Sequence, residues 1–131
     1  MKYLDTNIFI YILDKNAKKE FSEKSEAILR KIEEGETAIV SVVTLMEVLW
    51  WCERYLKHKI KQVYDMVLSF ETLKIINVNS GVISDALFFK EKYLLELNDC
   101  ISISVMNTSK INDIYSNDSG FDKVEWIKRI F

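Results

Sequence analysis

The chain has 131 residues, 49% of them hydrophobic, with 20 acidic side chains against 18 basic ones and a formal net charge of −2. That is one globular domain over residues 1–131, long enough to bury roughly two-thirds of the surface its unfolded form exposes. The charge balance excludes a strongly basic nucleic-acid coat and gives no support to a polybasic membrane anchor.

Cys52 and Cys100 stand far apart, with no second thiol at ligand spacing. This argues against a zinc cluster and a secreted disulfide framework and makes a reducing cytosol the expected compartment. The apolar run at residues 8–13 follows Lys2 but is bracketed by Asp5 and Asp14, too short and too acidic nearby for a signal peptide. Residues 38–51 include Ser41, Thr44 and Glu47 and fall short of the roughly 18 uncharged residues a spanning helix needs. A soluble cytoplasmic protein with no membrane partner is expected.

Lys2 to Leu4 opens the chain as a strand. Residues 8–13 are ambiguous: their apolar, β-branched character continues that strand, whereas Asp5-Thr6-Asn7 supplies a strand end and a helix cap, which would give a short buried helix. The stripe of Phe21, Ile28, Leu29 and Ile32 predicts a helix over about 18–34, ended by Gly35 in a left-handed turn. Residues 37–40 follow as a β-branched strand. Helices are predicted over 44–55 and from Ile60, where Val63, Tyr64, Val67 and Leu68 recur at helical spacing. Residues 73–78 read as a strand. Ser80 caps a helix with Val82, Ala86, Phe89 and Tyr93 on one face, and Asp99 caps another over 100–106. Residues 111–115 and 124–126 supply the last strands. Strands alternating with helices predict a parallel sheet covered on both faces, joined by right-handed crossovers.

In such a sheet, chemistry collects beyond the carboxyl ends of the strands. Asp5 follows the first strand and Asp118 the fourth, so a reversal of strand order between them sets both over one crevice. Asp99 joins them from a helix start and Glu47 from inside a helix, opposite the stripe of Leu45, Val48, Leu49, Cys52 and Leu56. Each alone has a simpler reading: Asp99 as a cap, Asp118 as a turn residue in Ser116-Asn117-Asp118-Ser119-Gly120, Glu47 as a solvated charge. The spacing by itself does not decide between them.

The surrounding residues carry more information. Leu4-Asp5-Thr6-Asn7-Ile8-Phe9-Ile10-Tyr11, Ser41-Val42-Val43-Thr44-Leu45-Met46-Glu47-Val48, Leu97-Asn98-Asp99-Cys100-Ile101-Ser102-Ile103-Ser104, and Ile114-Tyr115-Ser116-Asn117-Asp118 with Phe121-Asp122-Lys123-Val124 resemble the successive signatures of the PIN domain, in the family order and across the whole chain. Length and the ending Trp126-Ile127-Lys128-Arg129-Ile130 are similar to the small prokaryotic members, of which VapC toxins are the commonest. The resemblance implies an α/β fold, a three-layer α/β/α domain with strand order 3-2-1-4-5. It also implies a ribonuclease site that uses Mg²⁺ or Mn²⁺, leaving 5′-phosphate and 3′-hydroxyl ends. Carried over by position, Asp5, Glu47, Asp99 and Asp118 are the catalytic metal ligands. Thr6, Asn7 and Ser116 are supporting polar groups, with Asp122 ranked below Asp118. Cys100 departs from the alanine more usual after the third acid, and a small thiol fits there. A small antitoxin protein, a homodimer and an RNA substrate, transfer RNA among the candidates, are the partners implied.

The chemistry agrees with the residue types. Converging carboxylates without basic partners repel, which raises their pKa values unless a cation fills the site. Mg²⁺ is a hard ion that takes oxygen ligands and keeps waters. Arg54, Lys57, Lys59 and Lys61, with His58 among them, form the densest basic patch and are the expected RNA contacts. Trp50 and Trp51 can stack on bases, fill a core or meet a partner; the partner reading is favoured because their helix is apolar on two sides. The alternatives are a PIN nuclease of RNA processing outside any toxin pair, and a silent PIN-fold binding module, which the retention of all four acids disfavours. A receiver-type signalling domain lacks its acidic pair after the first strand and its acceptor Asp after the third.

Overall fold

The computed structural model describes all of residues 1–131. In chain order the elements are β1 (Lys2–Leu4), α1 (Thr6–Leu13), α2 (Lys19–Glu33), β2 (Ala38–Ser41), α3 (Val42–Tyr55), a 3-10 turn (Lys57–Lys59), α4 (Ile60–Leu68), β3 (Leu73–Ile76), α5 (Ser80–Tyr93), α6 (Leu97–Ser109), β4 (Asp113–Tyr115), a second 3-10 turn (Ser119–Lys123) and β5 (Lys128–Ile130). All strand pairings are parallel, in the order β3-β2-β1-β4-β5. This is the expected α/β sheet. The order reverses at β1, so the crevice beyond the ends of β1 and β4 is the switch point.

Alternation along each strand divides the core in two. Tyr3, Ile39 and Ile114 face a layer built by α5 and α6, with Ala86, Ile103 and Met106; Leu4, Val40 and Tyr115 face α1 to α4, with Phe9, Ile32, Val48 and Val63. No helix is long and apolar enough to cross a membrane.

The ambiguous segment is a helix. Asp5 has extended backbone and its carboxylate accepts from Thr6 N, while Ile8 N bonds back to Asp5 O, so the chain turns sharply after β1. Ile8 and Phe9 then pack into the second core layer, and burial outweighs the weak strand preference of a β-branched run. Gly35, at φ +118°, ends α2 as expected.

Several boundaries differ from the sequence reading: α3 starts at Val42, β3 ends at Ile76 and β4 starts at Asp113. Asn79, not Ser80, caps α5, accepting from Val82 N at 3.0 Å. Helix α6 begins at Leu97, so Asp99 lies within its first turn and is not its cap. The last strand is Lys128–Ile130; Val124 is buried below the 3-10 turn, and Ile127 N bonds to Val124 O, which bends residues 124–127 away from the sheet.

One buried network ties the sheet to the helix that bears Glu47. The Tyr3 hydroxyl lies 2.8 Å from Thr44 Oγ1 and accepts from Ser41 N at 3.2 Å; Ser41 in turn caps α3 by accepting from Thr44 N at 3.0 Å. Replacing Tyr3 by Phe strands the buried Ser41 N–H. A stability loss of about 1–3 kcal/mol is expected in urea denaturation.

Candidate functional site

Four elements converge on the switch point. Asp5, only 8% exposed at the end of β1, accepts from Thr6 N at 2.8 Å on Oδ1 and from Asn7 Nδ2 at 2.9 Å and Ser116 Oγ at 2.5 Å on Oδ2. Ser116 stands just past β4, so this last bond crosses from β1 to β4. Glu47 on α3 is held from both sides: Thr6 Oγ1 donates to Oε2 at 2.6 Å and Asn98 Nδ2 to Oε1 at 2.7 Å. Those two bonds join the starts of α1 and α6 to the middle of α3. Asp118 N donates to Ser116 Oγ at 2.9 Å, and the Asp118 carboxylate accepts from Gly120 N at 2.7 Å. Asn117 is anchored by its backbone N to Asn7 Oδ1 at 3.4 Å and by its side chain to Tyr11 Oη at 3.1 Å.

Burial and neighbouring negative charge act together on two of these acids. Burial first, then the charges of Glu47 and Asp118, push the Asp5 carboxyl up to about 6 against the Ser116 and Thr6 hydrogen bonds that oppose them. Asp99 rises to about 7, first by burial and then by the charges of Asp5, Asp118, Glu47 and Glu96. Asp99 therefore feels the charges of Asp5, Asp118 and Glu47, and Asp5 those of Glu47 and Asp118.

No three Asp, Glu, His or Cys side chains are gathered tightly enough to form a closed metal cage. The donor chemistry still fits a hard divalent cation: the donors are all oxygens, and two carboxyls are pushed toward neutrality by burial and by neighbouring negative charge. Mg²⁺ suits such an open arrangement, because it is held through one or two carboxylates and keeps several waters.

A sequence model of the PIN domain matches residues 2–127. The chain belongs to the PIN domain family. No curated protein sequence matches it. Among solved structures, this PIN domain is similar to VapC20 of Mycobacterium tuberculosis, a toxin that cleaves the sarcin–ricin loop, with 14% identity over 93% of each chain and a TM-score of 0.78. It is similar to VapBC2 of Rickettsia felis bound to a fragment of its promoter DNA, with 20% identity, 99% of this chain and 98% of that one covered, and a TM-score of 0.72. A toxin–antitoxin complex from Klebsiella pneumoniae gives 19% identity, 98% and 96% coverage, and a TM-score of 0.71. At these identities the likeness establishes the fold.

Thr6, Asn7 and Ser116 hydrogen-bond the Asp5 and Glu47 carboxylates of this PIN domain. Asp122 does not: both its oxygens are taken by Arg129, which holds the carboxyl below its ordinary range. The basic patch starts in the last turn of α3 with Arg54, seven residues past Glu47 and so roughly 10 Å along the helix axis, and continues through the 3-10 turn. Arg54 sits over the Tyr55 ring, Lys61 pairs with Asp65 at 2.7 Å, and Lys59 borders a groove shared with Leu13, Asp14, Lys15 and Trp51.

The two tryptophans separate. Trp50 is 56% exposed, whereas Trp51 packs on the second core layer and tilts against Tyr55 with ring centroids 5.1 Å apart. Sequence reasoning missed Asn98 and Tyr11. Asn98 precedes an acid in the first turn of a helix, a position from which a side chain can reach a neighbouring element; Tyr11 had no local signal.

Proposed function

We propose that this PIN domain is a metal-dependent endoribonuclease and the toxin of a toxin–antitoxin pair. The observation that carries the reading is the convergence of Asp5, Glu47, Asp99 and Asp118 from four elements, with the Asp5 and Asp99 carboxyls raised by burial and by the neighbouring charges. The likeness to VapC20 and to toxin–antitoxin complexes supports it. Mg²⁺ or Mn²⁺ bound among these four residues supplies the positive charge that neutralises a phosphodiester and acidifies an attacking water.

The chain's own residues prepare the site. Ser116, Asn7 and Thr6 N turn both Asp5 oxygens into fixed acceptors, and Thr6 and Asn98 do the same for Glu47. The reading needs no imidazole: the only histidine, His58, lies in the 3-10 turn that follows α3. Met46 and Trp50 on α3 and Leu94 and Leu97 around the start of α6 are exposed apolar groups. This is the surface on which a second copy, or an antitoxin segment reaching toward the acids, would bury apolar area. The compartment that follows from this reading is the cytoplasm.

Incubating total RNA with the protein, with and without Mg²⁺, tests the proposal. Sequencing is expected to show discrete new ends carrying 5′-phosphates only when the metal is present; cleavage that persists in EDTA, or none at all in Mg²⁺, sinks it.

A further inference from the structure

One guanidinium bridges both ends of the loop that carries Asp118. Arg129, on β5, donates through Nε and Nη2 to the two oxygens of Asp122 at 2.9 and 2.8 Å, and through Nη1 to the backbone oxygen of Ser116 at 3.4 Å. Ser116 precedes Asp118 and Asp122 follows it, so the fork spans the whole turn. The post from which it reaches is fixed separately: Arg129 pairs with Ile114 in the sheet, and Ser116 N donates to Ile130 O at 3.1 Å. A planar fork bound at two points fixes direction as well as distance, which an ammonium would not do.

Asp118 depends on this turn for its place. Its side chain is exposed, and the hydrogen bond its carboxylate makes is local, to Gly120 N at 2.7 Å. The loop has little slack, because a Cβ at Gly120 would stand 3.0 Å from Asp118 Oδ1 and 3.2 Å from Leu95 Cδ2. Phe121 and Val124, each 1% exposed, hold its far end in the core.

We propose that Asp122 and Arg129 form a clamp that positions Asp118, making Asp122 a positioning residue and not a metal ligand. The inference rests on the metal-dependent reading of the site. The pair is open to solvent, with the Asp122 side chain 53% exposed and that of Arg129 24%. Its contribution to global stability is therefore small, and what it controls is the local placement of one carboxylate.

The test titrates Mn²⁺ calorimetrically into the full chain as wild type, Arg129→Ala, Asp122→Ala and the double variant. Each single change is expected to weaken Mn²⁺ binding about 10-fold, the usual effect of losing a group that orients a ligand. The double variant binds no more weakly than either single one. Metal-free melting temperatures stay close to wild type, while amide exchange over Ser119–Lys123 accelerates in both single variants. Arg129→Gln, which retains most of the stem, repeats the series if the alanine variant melts early.

Unchanged or tighter Mn²⁺ binding in Arg129→Ala overturns the proposal, because Arg129 would then act as a repelling charge near the acids. Additive losses in the double variant also overturn it, since Asp122 would then bind metal in its own right, and so does a wild-type chain that binds no Mn²⁺. RNA cleavage run in parallel separates this from the wider reading. A chain that binds Mn²⁺ but cuts no RNA fails as a nuclease, and the clamp is then judged on the Mn²⁺ series alone.

Discussion

Asp5→Asn is expected to lower RNA cleavage by on the order of 10³-fold or more while leaving the fold intact. Asp5 is the most buried of the four acids and the one that links β1 to β4. Asparagine keeps an oxygen for Thr6 N but no longer accepts on its second position, where the Asn7 amide and the Ser116 hydroxyl both donate in the native site. Serine can rotate its hydroxyl to accept; Asn7 loses the carboxylate and keeps its longer bond to Ser116 Oγ at 3.3 Å. Against that loss, the variant no longer places a charge where burial and two neighbouring carboxylates disfavour it. The two effects oppose each other, so the metal-free melting temperature at pH 8 is expected to equal or exceed that of wild type. A gel-based cleavage assay and thermal denaturation in EDTA check both halves; full activity in the variant contradicts the site assignment, and a collapsed melting temperature makes the carboxylate structural.

The second large effect is a stability that falls as pH rises in the absence of metal. Asp5 and Asp99 titrate in the folded chain near 6 and near 7, above the ordinary value of 3.8. A raised folded pKa means that the native state holds protons the unfolded chain has released. The associated stability is fully present below about 3.8 and is lost as pH climbs through 6 and 7. For buried Asp5 this amounts to about 3 kcal/mol, at roughly 1.36 kcal/mol per unit. Asp99 is more open to solvent and contributes less than its shift implies. In EDTA the melting temperature is therefore expected to drop between pH 4 and pH 8. Millimolar Mn²⁺ should restore it, with a larger gain at pH 8 than at pH 5, because the cation binds ionised carboxylates. A melting temperature that is flat with pH in EDTA refutes the electrostatic account.

The sheet and its two covering layers were legible from the period of the hydrophobic residues, and all four acids were legible from their local contexts. What escaped was set by contacts between distant segments. Residues 8–13 admit both strand and helix on sequence, and the Asp5 cap together with burial of Ile8 and Phe9 makes them a helix. The last strand was misplaced because Val124 satisfies its apolar character in the core below a turn, while Lys128 to Ile130, barely apolar in sequence, pair with β4. Trp50 and Trp51 look equivalent in sequence. Successive positions on a helix point about 100° apart, and that rotation puts one in solvent and the other against Tyr55.

Resemblance to the PIN signatures singled out Asp5, Glu47, Asp99 and Asp118, and local residue types marked the strand ends and helix that carry them, because strand ends, caps and turns are written in short stretches of chain. Only the tertiary structure decided that the four share one field, that Asn98 and Thr6 hold Glu47, and that Asp122 belongs to Arg129. The reason is the reversal of strand order at β1, which brings residues 111 positions apart, Asp5 and Ser116, within 2.5 Å. The pKa of a carboxylate depends on what surrounds it in space, and neither composition nor spacing records that.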